Sequence, residues 1–187
     1  SQIFGRDVHD PRDTDSPDDR DELKRLRQVG KQAILGLGYG MGAKKFMDTL
    51  RRDALAGQLF TTGALDPLRC WRVVDTFRTT YPCIPQFWKE LERAVRNAID
   101  GVSGAVGILQ VLRDQDDVLV ILPSGRALRY QEPRLDGTPR SISYLAEDGN
   151  EKEFTPNGPS IVYGNGMHIY GGKLCENVVQ ATARDLL

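Results

Sequence analysis

The sequence predicts an α+β chain: a helical first half, a β-rich second half, and one closing helix. Three observations predict it. Apolar residues recur at three- and four-residue spacing from Leu23 to Ala98. After Gly104 the pattern turns to short β-rich runs broken by turn residues. From Gly172 helical spacing returns, with Leu174, Val178, Ala181 and Leu186 on one face. Helices and strands are segregated rather than alternating, which is the α+β pattern.

Each element has a local cause. Residues 1–20 read as an acidic loop, with Pro11, Pro17 and many Asp. A helix should start near Asp21, where acids favour the positive end of the helix dipole, and run through Leu23, Leu26, Lys31 and Ile34 toward Leu37. Gly36, Gly38, Gly40 and Gly42 end it. A second helix is expected over 43–56, stopped at Gly57. Asp66-Pro67 reads as an N-cap with proline in the first turn, opening a helix through Leu68, Trp71, Val73, Val74 and Phe77. Pro82 and Pro85 break that helix, and another carries Phe87, Trp88, Leu91, Ala94, Val95 and Ala98 to Gly101. GILQVLRDQDDVLVIL reads as a hairpin about DQDD, PSGRALRY as turn then strand, and SISYLAEDGNEKEF as a second hairpin through Asp148-Gly149-Asn150. The expected organisation is an acidic loop (1–20), a helical segment (21–101), a β meander (102–170) and a terminal helix (171–187).

Composition bounds the function. With 187 residues, 40% hydrophobic and 27% charged, the chain can bury a core without disulfide staples. No apolar run is long enough to span a membrane. The start, SQIFGRDVHD, has no basic and apolar regions of a secretory signal. Cys70, Cys83 and Cys175 form no CxxC pair, and only His9 and His168 are available, which argues against zinc and for a reducing, cytoplasmic compartment.

The net charge of −1 argues against a uniformly basic nucleic-acid binder, yet the charges are segregated. From Asp7 to Glu22 eight acids face two arginines; from Lys24 to Arg52 eight cations face Asp48 alone. A concentrated positive field is what a polyanion would meet; a pair of solvated helix faces would give the same composition.

The segment RQVGKQAILGLGYGMGAKKF, from Arg27 to Phe46, is the most informative. Arg27, Lys31, Leu35 and Tyr39 are spaced four apart, which on a helix forms a slowly drifting stripe. Two cations, an apolar surface and a ring suit a ligand with phosphates, a sugar and a base. The glycines also permit a dinucleotide loop of an NAD(P)-binding oxidoreductase, G-x-G-x-x-A at Gly38, Gly40 and Ala43. That reading needs a strand over Ala33–Leu37 and an acid ending a second strand about twenty residues on; DELKRLRQVGKQ is helical and ALAGQLFTTGALD offers no such strand. A non-enzymatic basic interaction module is a third alternative.

Arg27-x3-Lys31-x7-Tyr39-Gly40 resembles the nucleotide-binding fingers helix of family A, polymerase I-like DNA polymerases, and the wording RQVGKQAILGLGYGMG resembles their phage and prophage branch. Further likenesses follow in order: YPCIPQFWKELERAV to the helix after the fingers turn, LPSGRALRYQEP to a Gly-Arg-x-x-Tyr-x-Pro element, and YGGKLCENVVQATARDLL to a palm helix bearing Gln180, Ala183 and Asp185.

The resemblance implies a role for each matched residue. Arg27 and Lys31 would hold the triphosphate of an incoming dNTP, and Lys31 would be the catalytic acid protonating departing pyrophosphate. Leu35, where the family usually has Phe or Tyr, would present an apolar wall to the sugar without ring stacking. Tyr39 would sit at the templating base and Gly40 would let the template backbone approach. Gln180 and Arg126 would contact primer–template DNA; Glu176 stands where the family often has Asn. The two metal-binding aspartates, in Asp-Tyr-Ser and His-Asp-Glu motifs, are not found here, and His9-Asp10-Pro11 is not a substitute. The resemblance therefore implies a fragment without polymerase activity of its own. Mg2+ would belong to the full enzyme and not to this fragment, and the remaining palm segments would be partners in cis or as a separate chain.

Overall fold

The computed structural model describes residues 8–187; Asp7 and the rest of the first seven residues of the acidic segment lie outside it. The fold is α+β, with helices and small antiparallel sheets. The chain divides into two compact units, Ser1–Tyr81 with Ile142–Phe154, and Pro82–Ser141 with Thr155–Leu187.

In the first unit, helix α1 (Pro17–Leu37) starts earlier than Asp21. Ser16 explains the difference: its hydroxyl accepts the Asp19 N–H at 3.2 Å, and Pro17 fills a first-turn position that needs no N–H donor. Leu23, Leu26, Val29, Ala33 and Leu37 form its buried face. Helix α2 (Ala43–Arg52) stops well before Gly57, because Asp53 turns extended and its carboxylate takes the Leu55 and Ala56 N–H groups at 3.0 and 2.9 Å. That chain of donors offers the backbone an alternative to another helical turn. A short helix α3 (Gln58–Thr61), not anticipated by the spacing, follows. Helix α4 (Pro67–Thr80) is capped as expected, the Asp66 carboxylate accepting the Arg69 N–H at 2.7 Å. Phe46, Met47, Leu50, Leu59, Cys70 and Val73 fill the core between these helices, and Leu145 enters it from a hairpin later in the chain.

The second unit begins with α5 (Cys83–Ile99). Pro85 lies inside its first turn rather than before it, a position where a missing N–H costs nothing. Strands β1 (Gly104–Val106), β2 (Leu109–Asp114), β3 (Asp117–Ile121) and β4 (Ala127–Tyr130) form an antiparallel meander in chain order. The DQDD hairpin is the β2–β3 turn, closing at Asp114 opposite Asp117. β5 (Arg134–Asp136), β8 (Ser160–Tyr163) and β9 (Met167–Ile169) make a second antiparallel sheet. The intervening β6 (Ile142–Leu145) and β7 (Glu151–Phe154) form the expected Asp148-Gly149 hairpin and belong to the first unit. Alternating Val118 and Val120 of β3 point inward with Val111, Ile161, Leu91 and Val95.

The closing helix α6 (Gly171–Asp185) packs tightly on α5. A Cβ on Gly171 would lie 2.2 Å from the Trp88 carbonyl oxygen. The Gly171 N–H donates to the Glu92 carboxylate at 2.8 Å, so an α5 side chain caps α6. Among the described residues no helix is long and apolar enough to cross a membrane.

Candidate nucleotide and nucleic-acid sites

Packing of α1 decides what its outer face offers. With Leu23, Leu26, Val29 and Ala33 turned inward, the opposite face presents Arg27, Lys31, Ile34 and Leu35 to solvent. Ile34 and Leu35 are 65% and 58% exposed, an unusual placement for two adjacent aliphatic side chains. Cations therefore precede an apolar surface along one helix face.

Arg27 is engaged: its guanidinium lies 2.5 Å from the Asp10 carboxylate. Lys31 makes no hydrogen bond or ion pair among the described residues, and its ammonium is free to meet a ligand. Tyr39 differs from the simple stripe. The α-helix ends at Leu37, and Tyr39 is half-buried in the turn that follows, its N–H donating to the Gly36 carbonyl at 3.1 Å. Gly40 carries φ +82°, a left-handed conformation that a side chain would strain. The Met41 N–H returns to Gly36 at 3.2 Å, fixing the turn. The glycine cluster thus follows a helix. No strand occupies Ala33–Leu37, and the described sheets are antiparallel throughout, so the dinucleotide-loop reading loses its supporting βαβ unit.

The second unit gathers Arg126 and Gln180 in one groove of about 500 Å³ on α6 and β4. Arg126 spans from its loop to α6, donating to the Ala181 carbonyl and pairing with Asp185, at 2.6 and 2.7 Å. Ser124 donates to the other Asp185 oxygen at 2.5 Å, and these partners hold that carboxyl below its ordinary pKa, the serine hydrogen bond contributing most. Gln180 is exposed and donates to Glu176 at 3.2 Å. Glu176 also takes Lys173 at 2.9 Å, so both residues are occupied with each other. Tyr130 is buried on the groove floor, its hydroxyl accepting from Asn177 at 3.2 Å and its ring edge-on to Tyr163 at 5.4 Å. Burial raises the Tyr130 pKa.

The sequence assigned no functional role to Ile34 on the outer face of α1, or to Asn177 and Arg184 in the groove. Spacing could have found all three. Ile34 stands three after Lys31, and Arg184 and Asn177 stand one turn either side of Gln180. Arg184 lines the groove and makes no hydrogen bond or ion pair among the described residues, whereas Arg129 is tied to Asp114 and Asp117 at 2.9 and 2.6 Å.

Among the described residues no three of His, Cys, Asp and Glu come together in a way that could hold a divalent cation. The acids near α1 are spent on cations, Asp10 on Arg27, Asp21 on Lys24 and Asp48 on Lys44.

No protein-family model and no solved structure matches the chain. Over 169 residues, 87% of this chain, it is 37% identical to a protein named DNA polymerase from Bacillus phage SP02. The chain is therefore similar to one stretch of a phage DNA polymerase, spanning 23% of that protein's length.

Proposed function

We propose that this chain is the part of a family A DNA polymerase that binds the incoming dNTP and the templating base. The observation that carries the reading is the outer face of α1, where Arg27 and Lys31 lead directly into exposed Ile34 and Leu35, with Tyr39 in the fixed turn beyond. Similarity to a phage DNA polymerase along most of the chain supports it.

Each residue has a chemical task in this reading. Arg27 and Lys31 bind triphosphate oxygens by charge-assisted hydrogen bonds, the strong class. Lys31 holds a proton beside the leaving pyrophosphate, where negative charge develops. Leu35, with Ile34 beside it, forms an apolar wall for the deoxyribose. Tyr39 offers its ring to the template base, and Gly40 keeps the backbone there free of side-chain bulk. In the second unit, Gln180 and Arg126 contact primer–template DNA, with Arg184 as a further cation in the same groove. The helical segment 21–101 would be the fingers and the helix over 171–187 would belong to the palm. Mg2+ would enter with carboxylates from the rest of the enzyme, so the chain alone is not expected to extend a primer.

Titration of the chain with a labelled dNTP tests the reading. Saturable binding should weaken about ten-fold or more in Lys31→Ala and in Arg27→Ala, consistent with loss of a charged phosphate contact. Binding unchanged in both variants, or primer extension by the purified chain alone, would overturn it.

A further inference from the structure

The first unit carries a cleft that the reading above does not use. It lies among the start of α2, the outer side of α4 and the β6–β7 hairpin, with a volume of about 470 Å³. Trp71, Asp75, Arg78, Tyr144, Glu147 and Lys152 line it.

Three features point to its occupant. Arg78 is half-buried, and its Nε is a buried donor with no partner. Its hydrogen bond is a long one, from Nη2 to the Met41 carbonyl at 3.4 Å. The guanidinium therefore keeps hydrogen-bonding capacity that the fold does not use, on a side chain that lines the cleft. Tyr144 is 39% exposed, yet its ring is braced edge-on by Phe154 at 5.6 Å. A ring held at the surface in a fixed orientation is a stacking platform. Lastly, the cleft is balanced in charge. Arg78 and Lys152 face Asp75 and Glu147, and Lys152 is already paired with Asp148 at 2.8 Å. A balanced lining gives little general attraction to the dense charge of a duplex, so a strand held here would depend on ring stacking and one phosphate contact.

Location narrows this further. The Met41 carbonyl held by Arg78 lies two residues past Tyr39, and Gly42 and Ala43 form one edge of the cleft. We infer that the cleft holds single-stranded nucleic acid, one base stacking on Tyr144 beside Trp71 while Arg78 donates to a phosphate or base oxygen. That the strand is the unpaired template leading to Tyr39 rests on the polymerase reading; the stacking site itself does not.

The test uses the 187-residue chain and a fluorescent oligothymidylate of about twelve nucleotides, long enough to cover a typical single-strand site. Tyr144→Ala removes an exposed ring and should leave the circular dichroism spectrum unchanged while weakening binding about five-fold or more. In a Trp88→Phe background, the oligonucleotide should quench the remaining Trp71 emission. Primer–template with a 5′ overhang should bind more tightly than blunt duplex, and Tyr144→Ala should abolish that preference. Arg78→Gln should weaken binding as well, with Tyr144→Ala deciding the matter if Arg78→Gln fails to fold. Parent-like binding by Tyr144→Ala would overturn the inference, as would full competition by equimolar thymidine monophosphate. If dNTP binding depends on Lys31 while Tyr144→Ala has no effect, this inference fails alone. If Tyr144 governs oligothymidylate binding while Lys31 does nothing for dNTP, the polymerase reading fails and the stacking site stands.

Discussion

Asp10 reaches the Arg27 guanidinium at 2.5 Å, so a carboxylate occupies the cation assigned to a triphosphate. Both side chains are largely exposed, which makes the pair weak and readily displaced. Asp10→Ala is expected to change unfolding free energy by less than about 1 kcal/mol. It should strengthen dNTP binding about two-fold at low salt, the advantage vanishing near 0.5 M salt as screening takes over. Titrations at two ionic strengths check this; equal affinities at low salt would show that Asp10 does not compete.

Gly171 and Gly36 make opposite predictions for the same substitution. At Gly171 an added Cβ meets the Trp88 carbonyl oxygen at 2.2 Å and its carbon at 2.7 Å, both backbone atoms of a packed helix. Gly171→Ala should destabilise by about 2–3 kcal/mol, the scale of overpacking a tight helix contact. At Gly36 the Cβ meets the tip of Met41, Cε at 2.6 Å and Sδ at 2.8 Å. A methionine tip can rotate away, and alanine favours the helix by about 1 kcal/mol, so Gly36→Ala should stay within about 1 kcal/mol of the parent. Urea unfolding midpoints of the two variants separate the cases.

The three thiols should react on different timescales. Cys83 is exposed, whereas Cys70 and Cys175 are buried. Burial pushes the Cys70 thiol up to about 12, and raises Cys175 as well, so neither offers thiolate near neutral pH. Timed reaction with an aromatic disulfide reagent at pH 8 should release one fast equivalent, and Cys83→Ser should abolish it. Two fast equivalents in the parent would contradict the core position of Cys70.

The β6–β7 hairpin should loosen in acid. Asp148 is held down to about 2, chiefly by its hydrogen bond from Lys152 and then by the Asn150 N–H. Its folded pKa lies below the ordinary 3.8, so the stabilisation is complete above that value and is lost as pH falls through it toward 2. Amide exchange or NMR shifts of residues 146–152 should be constant near neutrality and change over that acid window. In Asp148→Asn the window should disappear.

Much of this architecture was legible in the sequence, because local rules governed it. Asp66-Pro67 predicted a cap and supplied one; DQDD and Asp148-Gly149 predicted hairpins and formed them. Helix ends were read less well where a side chain competed for the backbone. Ser16 drew the start of α1 forward, and Asp53 drew the end of α2 back. The four-residue spacing from Arg27 placed Arg27, Lys31 and Leu35 on one face, but could not show that Tyr39 leaves the helix for a turn. Nor does periodicity reveal partners distant in sequence. Asp10 on Arg27, Glu92 on the α6 start, and Asp185 on Arg126 depend on tertiary packing.

The hairpin also sets an order on synthesis. Leu145 fills a place in the core of the first unit, yet it is made after α5 and the whole meander. A chain emerging from its N-terminus can assemble α1 to α4 early but must wait for residues 142–154 to close that core. Until then the apolar surface destined for Leu145 is open to water, although residues 82–141 of the second unit have already been made.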